Sequence, residues 1–199
     1  MRHIWLRATV IVLAVMWLSG CMWAPNNRRV LRPEPETPRS AQMSLAFGYI
    51  DMTDAEPRLD WIRFQQLAPT PSDNKLSGRT KDGLFLLDNL ASGSYQVYDF
   101  GGRGGGLLAK GYLYASYPLS FPVTRQSGFL RVTVGKPGVY FMGAYKYVNV
   151  RGNRVGTQYE YALETIASPS QRELLERLLQ VVRGTGWESH VAASLKSAK

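Results

Sequence analysis

The clearest periodicity in the chain is an alternation of apolar and polar positions that begins at Met43. Leu45, Phe47 and Tyr49 recur at every second residue and predict a first strand over about 44–52. In Trp61–Leu67, Ile62 and Phe64 share one face and predict a second strand. Pro69, Pro71, Ser72, Asp73 and Asn74 then mark a loop. Lys81-Asp82-Gly83 predicts a turn ahead of a strand at Leu84–Leu87. Asp88–Gly93 predicts another ahead of Ser94–Phe100, where Tyr95 and Val97 oppose Gln96 and Tyr98. Further strands are predicted at 107–114, 119–124, 129–134, 139–148 and 157–163. Short strands separated by turn residues point to a mainly β fold, an antiparallel sandwich over 43–165, rather than alternating strands and helices.

The period changes near the C-terminus. Leu174, Leu175, Leu178, Leu179 and Val182 form an apolar stripe with Glu173, Glu176 and Arg177 outside it, which predicts one amphipathic helix. Ser168 is placed to cap it, Pro169 suits its first position, Gln171 stands where a capping-box partner belongs, and Gly184 or Gly186 can end it. Helix and Trp187 segment together span 166–191, with Trp187 folding back on the domain; 192–199 reads as a frayed tail. At the other end, Ala8–Leu18 is apolar except for Thr9, too short for a permanent span, which needs about 20 residues. Between that run and the first strand, Pro25, Pro33, Pro35 and Pro38 with Asn26 and Asn27 make 21–42 a semi-rigid tether. Its Arg28, Arg29 and Arg32 are placed to rest on anionic headgroups, and Trp23 to sit at a membrane interface.

Arg2 and Arg7 precede the apolar run, and Leu18-Ser19-Gly20-Cys21 closes it. This arrangement resembles the signal peptide and lipobox of bacterial lipoproteins. The resemblance implies that 1–20 is removed, that the Cys21 thiol is diacylated and that its new amine is acylated with a palmitate-type chain. The chain's one cysteine falls where the motif needs it. Three acyl chains anchor firmly where one binds only marginally. In enterobacterial members an aspartate after the cysteine retains the protein in the inner membrane; Met22 stands there instead, which implies delivery to the outer membrane, facing the periplasm.

A second resemblance lies in Lys81-Asp82-Gly83-Leu84-Phe85-Leu86-Leu87-Asp88-Asn89-Leu90-Ala91-Ser92-Gly93-Ser94-Tyr95-Gln96-Val97. It is similar to the central hairpin of transthyretin-like (prealbumin-like, carboxypeptidase regulatory-like) domains. There Phe85 and Tyr95 would fill the inter-sheet core, and Asn89 and Gly93 would allow the reversal. Lys136–Gly143 fits the late strand of that family, whereas the C-terminal helix is no part of it. Such sandwiches commonly serve as accessory, adhesive or spacing modules.

Composition changes little in this picture. With 199 residues, 45% hydrophobic, and 7 Phe, 5 Trp and 11 Tyr, the chain is neither disordered nor a multi-span membrane protein, and one cysteine makes no disulfide scaffold. The formal charge of +9 sits largely at the ends. Arg2 and Arg7 leave with the leader, four arginines fall in 22–40, and Lys196 and Lys199 close the chain. The body lacks the dense basic face that nucleic acid requires, so nucleic acid is not an expected partner.

Candidate chemistry is sparse. His3 lies in the leader, His190 is the only other histidine, and Cys21 is consumed by lipid. No G-x-S-x-G elbow is present. Zinc would want clustered Cys and His. Asp51, Asp54, Glu56 and Asp60 could gather calcium but match no loop motif, and read as a polar loop. Gly104, Gly106 and Ala109 match a dinucleotide fingerprint, but no helix is predicted to follow, so Gly101–Gly106 reads as a mobile glycine loop with Arg103 as an anion contact. No catalytic residue, metal or cofactor is therefore expected. Alternation sends about half of the tyrosines outward, among them Tyr98, Tyr112 and Tyr114, where they would stack on sugars or form a protein interface. The expected function is a non-catalytic envelope module, structural or protein-binding, held to the membrane by its lipid. A glycan- or peptidoglycan-binding module using the surface tyrosines is the alternative, and a carboxylate-dependent glycosidase the third reading. Partner identity and oligomeric state are not legible.

Overall fold

The computed structural model describes residues 37–54, 58–105, 112–118, 130–155 and 158–198, with backbone pairing alone for 103–105, 112–118, 149–155 and 158–160. The expected leader, Cys21, most of the tether and the strand expected at 119–124 lie outside the described residues. Among the described residues nine strands and two helices follow one another: β1 Ser44–Asp51, β2 Trp61–Ala68, β3 Lys75–Lys81, β4 Leu84–Leu90, β5 Gly93–Gly105, β6 Tyr112–Pro118, β7 Arg131–Val134, β8 Val139–Val155, β9 Gln158–Thr165, then α1 Gln171–Val181 and α2 Glu188–Ser197.

The mainly β architecture follows the expectation, but the strands form one continuous curled sheet instead of two separate ones. Its order is β2-β3-β4-β1-β8-β9-β6-β5-β7, and β2 also pairs β5, so eight strands run round into a ring with β7 joined to the first residues of β5. Most pairs are antiparallel; β1 runs parallel to β8, and β6 meets β9 in a single parallel pair, Ser116 with Gln158. The predicted hairpin at 84–97 is corrected. β4 pairs β1 and β3 while β5 pairs β2, β6 and β7; Asn89, in the left-handed region at φ 57°, is an irregularity within β4 opposite β1, and Ala91 and Ser92 link β4 to β5. Phe85 and Tyr95 still share one core.

There are two cores, and β1 explains both. Its apolar residues occupy both parities, the pattern of a strand covered on both faces. Ala46 and Ile50 point into the ring among Phe64, Phe85, Phe100, Tyr147 and Tyr161. Leu45 and Phe47 point outward, with Leu84 and Leu86 of β4 and Ala144 of β8, under Leu174, Leu175, Leu178 and Val182 of α1 and its C-cap, and under Trp187 and Val191. Within β8 an extra residue opposite β1 is absorbed at Gly143, whose φ of 106° disfavours a side chain.

Lys75–Lys81, where no element is predicted, is a strand whose core-facing residue is Gly78; a Cβ there would collide with the Phe64 ring and Ile62. Three further expectations are corrected. Gly101–Gly105, expected as a mobile loop, continues β5 and pairs with β6. The helix begins two residues later than the pattern indicates: Ser170 is the N-cap, its hydroxyl accepting from the Glu173 N–H while Glu173 accepts from the Ser170 N–H. Both Ser168/Gln171 and Ser170/Glu173 have capping-box spacing, and the carboxylate suits the helix's positive end better than an amide. Residues 192–197, expected as a frayed tail, belong to α2, so among the described residues two helices stand where one was expected.

Chain entering the body is fastened to it. The Arg39 N–H donates to the Asn89 side-chain oxygen at 2.7 Å, the Asn89 amide donates to the Thr37 carbonyl at 3.4 Å, and Pro38 lies against Gly186. No helix among the described residues is long and apolar enough to cross a membrane.

Candidate functional site

The two helices cover the outer face of β4, β1 and β8, whereas no helix among the described residues covers the outer face of β3, β2 and β5. Alternation in β2 sets what this open face presents. Ile62 and Phe64 enter the core at 1% and 0% exposure, so Trp61, Arg63 and Gln65 turn out. Register places Gln65 between Lys75 of β3 and Gln96 of β5, and Arg63 between Ser77 and Asp99. An irregularity in β5 inserts Tyr98 between the residues opposite Arg63 and Phe64. Such a bulge re-aims side chains, and here the successive residues Tyr98 and Asp99 both reach Arg63.

Asp99 is 3% exposed, and both its oxygens are used: Arg63 Nε donates to one at 2.7 Å and Nη2 donates to the other. This bidentate bond is the main reason the Arg63 guanidinium pKa is pushed up further, against the opposing effect of burial. The guanidinium carbon lies 5.3 Å from the Trp61 ring centroid and 5.8 Å from that of Tyr98, while Lys75 Nζ stands 4.0 Å from the Tyr98 centroid. All three distances fall within cation–π range. Tyr98, at 39%, is one of two large hydrophobic side chains exposed among the described residues, with Leu76 of β3. The Trp61 indole N–H is buried and has no hydrogen-bond partner among the described residues, a state that costs about 1–3 kcal/mol.

Beneath this face lies an aromatic floor. Tyr161 stacks on Tyr147, ring centroids 5.7 Å apart, and meets Phe100 edge-on at 5.5 Å. Burial, then Tyr147 and Asp99, push the Tyr161 phenol well above its ordinary range, so it stays neutral. What reaches solvent above that floor is a row of donors and rings: the free edge of Arg63, the Lys75 ammonium, the Gln65 and Gln96 side chains, and Tyr98. The Asp99 carboxylate is tucked under the guanidinium. Such a set offers a ligand hydrogen bonds, positive charge and ring faces.

Of the residues singled out in the sequence, Tyr98 belongs to this face. Arg103 lies further along β5, in register with Tyr114 of β6, and Tyr112 with Gly105, so the three share one two-stranded ribbon. Cys21 lies outside the described residues. His190 packs 5.6 Å from the Trp187 ring in the helical layer. The loop acids do not converge: Asp51 accepts from Thr53, Asp54 pairs with Lys146 at 2.8 Å, and Glu56 lies outside the described residues. No metal-holding group of three His, Cys, Asp or Glu occurs among the described residues. Sequence reasoning missed Trp61, Arg63, Lys75 and Asp99. Its available signal was polar Arg63 flanked by two core residues, but the partner 36 positions away follows only from the β2–β5 pairing. No protein-family model, curated protein or solved structure matches this chain.

Proposed function

We propose that this chain is a lipid-anchored protein of the bacterial envelope, acylated on Cys21 and directed to the periplasmic face of the outer membrane, whose β body is a non-catalytic interaction module. The anchor is supported by Leu18-Ser19-Gly20-Cys21 after an apolar run. The observation that carries the interaction reading is the uncovered outer face of β3, β2 and β5, where Trp61, Arg63, Lys75 and Tyr98 gather. Within this reading the body is a divergent transthyretin-like module. Support for that likeness is the common core of Phe85 and Tyr95 on either side of the short Ala91–Ser92 link.

Mass spectrometry of the full chain from a bacterial envelope tests the anchor. The expected product starts at an acylated Cys21, and Cys21→Ser should remain an unprocessed precursor. A bare Cys21 with residues 1–20 still attached would overturn it. For the module, mild crosslinking in intact envelope should capture one defined partner, protein or glycan, and Tyr98→Ala should weaken that capture. Turnover of an envelope glycan by the purified chain would overturn the non-catalytic assignment.

A further inference from the structure

We infer that the open face of β3, β2 and β5 is a binding site for an anionic glycan, its sugar rings lying against Tyr98 and Trp61 and its carboxylate or phosphate groups held by Lys75 and the free edge of Arg63. This rests on the interaction reading above and names its ligand class.

Charge complementarity makes the first argument. Asp99 spends both oxygens on Arg63 and is nearly out of solvent, with 4% of its side chain exposed against 45% for Arg63. Its carboxylate fixes the guanidinium without presenting a negative surface. Nε and Nη2 are engaged, so Nη1 remains to donate outward. Lys75 adds three more donors over the Tyr98 ring. A ligand landing here meets donors and positive charge, and must itself be rich in acceptors.

Shape makes the second. The rungs Lys75–Gln65–Gln96 and Ser77–Arg63–Asp99 span three strands, about 10 Å across. Trp61 to Gln65 adds about 13 Å along β2, so the face accommodates a short oligosaccharide lying flat. Aromatic rings beside amides and cations suit a ligand with an apolar ring face and a polar rim. A protein partner would call for a larger apolar centre than Tyr98 provides; Leu76, opposite core-facing Phe64, belongs to the other side of β3. A lipid surface is usually met by clusters of 4–8 free cations; here Lys75 and Arg63 stand beside the rings, while Arg79 further along β3 is paired with Asp88.

The unpartnered Trp61 N–H is the third, independent observation. No described residue accepts from that group, which leaves it for an acceptor on the ligand.

The test uses the full chain in detergent with oligogalacturonate, its uncharged methyl ester, a phosphorylated mannose oligosaccharide and phosphatidylglycerol vesicles as probes, read by calorimetry. The expected result is binding of at least one charged oligosaccharide, weaker by about tenfold or more for the methyl ester than for oligogalacturonate when that is the sugar bound. Tyr98→Ala and Lys75→Ala, both outside the core, should each lower that affinity by about tenfold while leaving thermal unfolding unchanged. Equal affinity for acid and ester, affinity untouched by both substitutions, or no binding to either charged sugar overturns the inference. So does Lys75-dependent binding to the vesicles alone. If no sugar binds but a crosslinked envelope protein is lost in Tyr98→Ala, the glycan falls and the interaction module stands. If neither depends on this face, both fall.

Discussion

Asp99 has been taken out of water, and its position is tolerable because Arg63 meets both oxygens. Removing the partner should cost more than the pair contributes, since the carboxylate stays behind. A fully buried pair broken in this way loses about 3–5 kcal/mol. Arg63 is nearly half exposed, so water takes over part of its role and Arg63→Ala should cost about 1–2 kcal/mol in urea unfolding. Trp61 presents the reverse case. Its indole N–H is an orphan, so Trp61→Phe keeps most of the ring, removes the orphan, and should leave stability level or raise it by about 1 kcal/mol in the same assay. A clear loss would show that the N–H is satisfied in solution.

Strand β3 illustrates how an element forms without local encouragement. Its sequence KLSGRTK has no apolar alternation, and its core position is glycine because Phe64 and Ile62 already fill that space. Gly78→Ala should therefore overpack the ring and destabilise it by about 1–3 kcal/mol by thermal melting. The same circumstance explains why β3 is invisible to pattern reading: its side chains do not create the core, the neighbours' do. β1, β2, β4 and β7 were legible because their own residues alternate or are apolar throughout. The glycine run at 101–105 misled for a related reason, since its strand character comes from pairing with β6 and not from composition. Helix α1 was legible from its leucines and uncertain only at its start. There Glu173 is held below the usual carboxylate range, first by the Ser170 backbone N–H it accepts from, then by the Ser170 side chain. A lowered pKa means the cap's contribution is complete above the ordinary value of about 4.3 and is lost as pH falls below it. Hydrogen exchange at the first turn of α1 should accelerate below that pH, and Glu173→Gln should remove most of the pH dependence.

For the whole molecule, the helices are structural partners of the sheet. Without them Leu45, Phe47, Leu84 and Leu86 would form an apolar patch on its outside. Trp187 closes that layer at zero exposure, so Trp187→Ala should cost about 3–5 kcal/mol, a large share of a typical domain's 5–15, and expose dye-binding apolar surface. The candidate site belongs to this scale too. Tyr98 alone could be named from alternation; Arg63 with Asp99, and Lys75 with Tyr98, became neighbours only through the closing of the ring, which no local pattern encodes. One last consequence concerns load. β1, which follows the fastened segment at Thr37–Arg39, lies between β4 and β8 and not at an edge. Tension along its axis must shear both ladders together rather than unzip one bond at a time, so the first strand of the body is built to resist being pulled out.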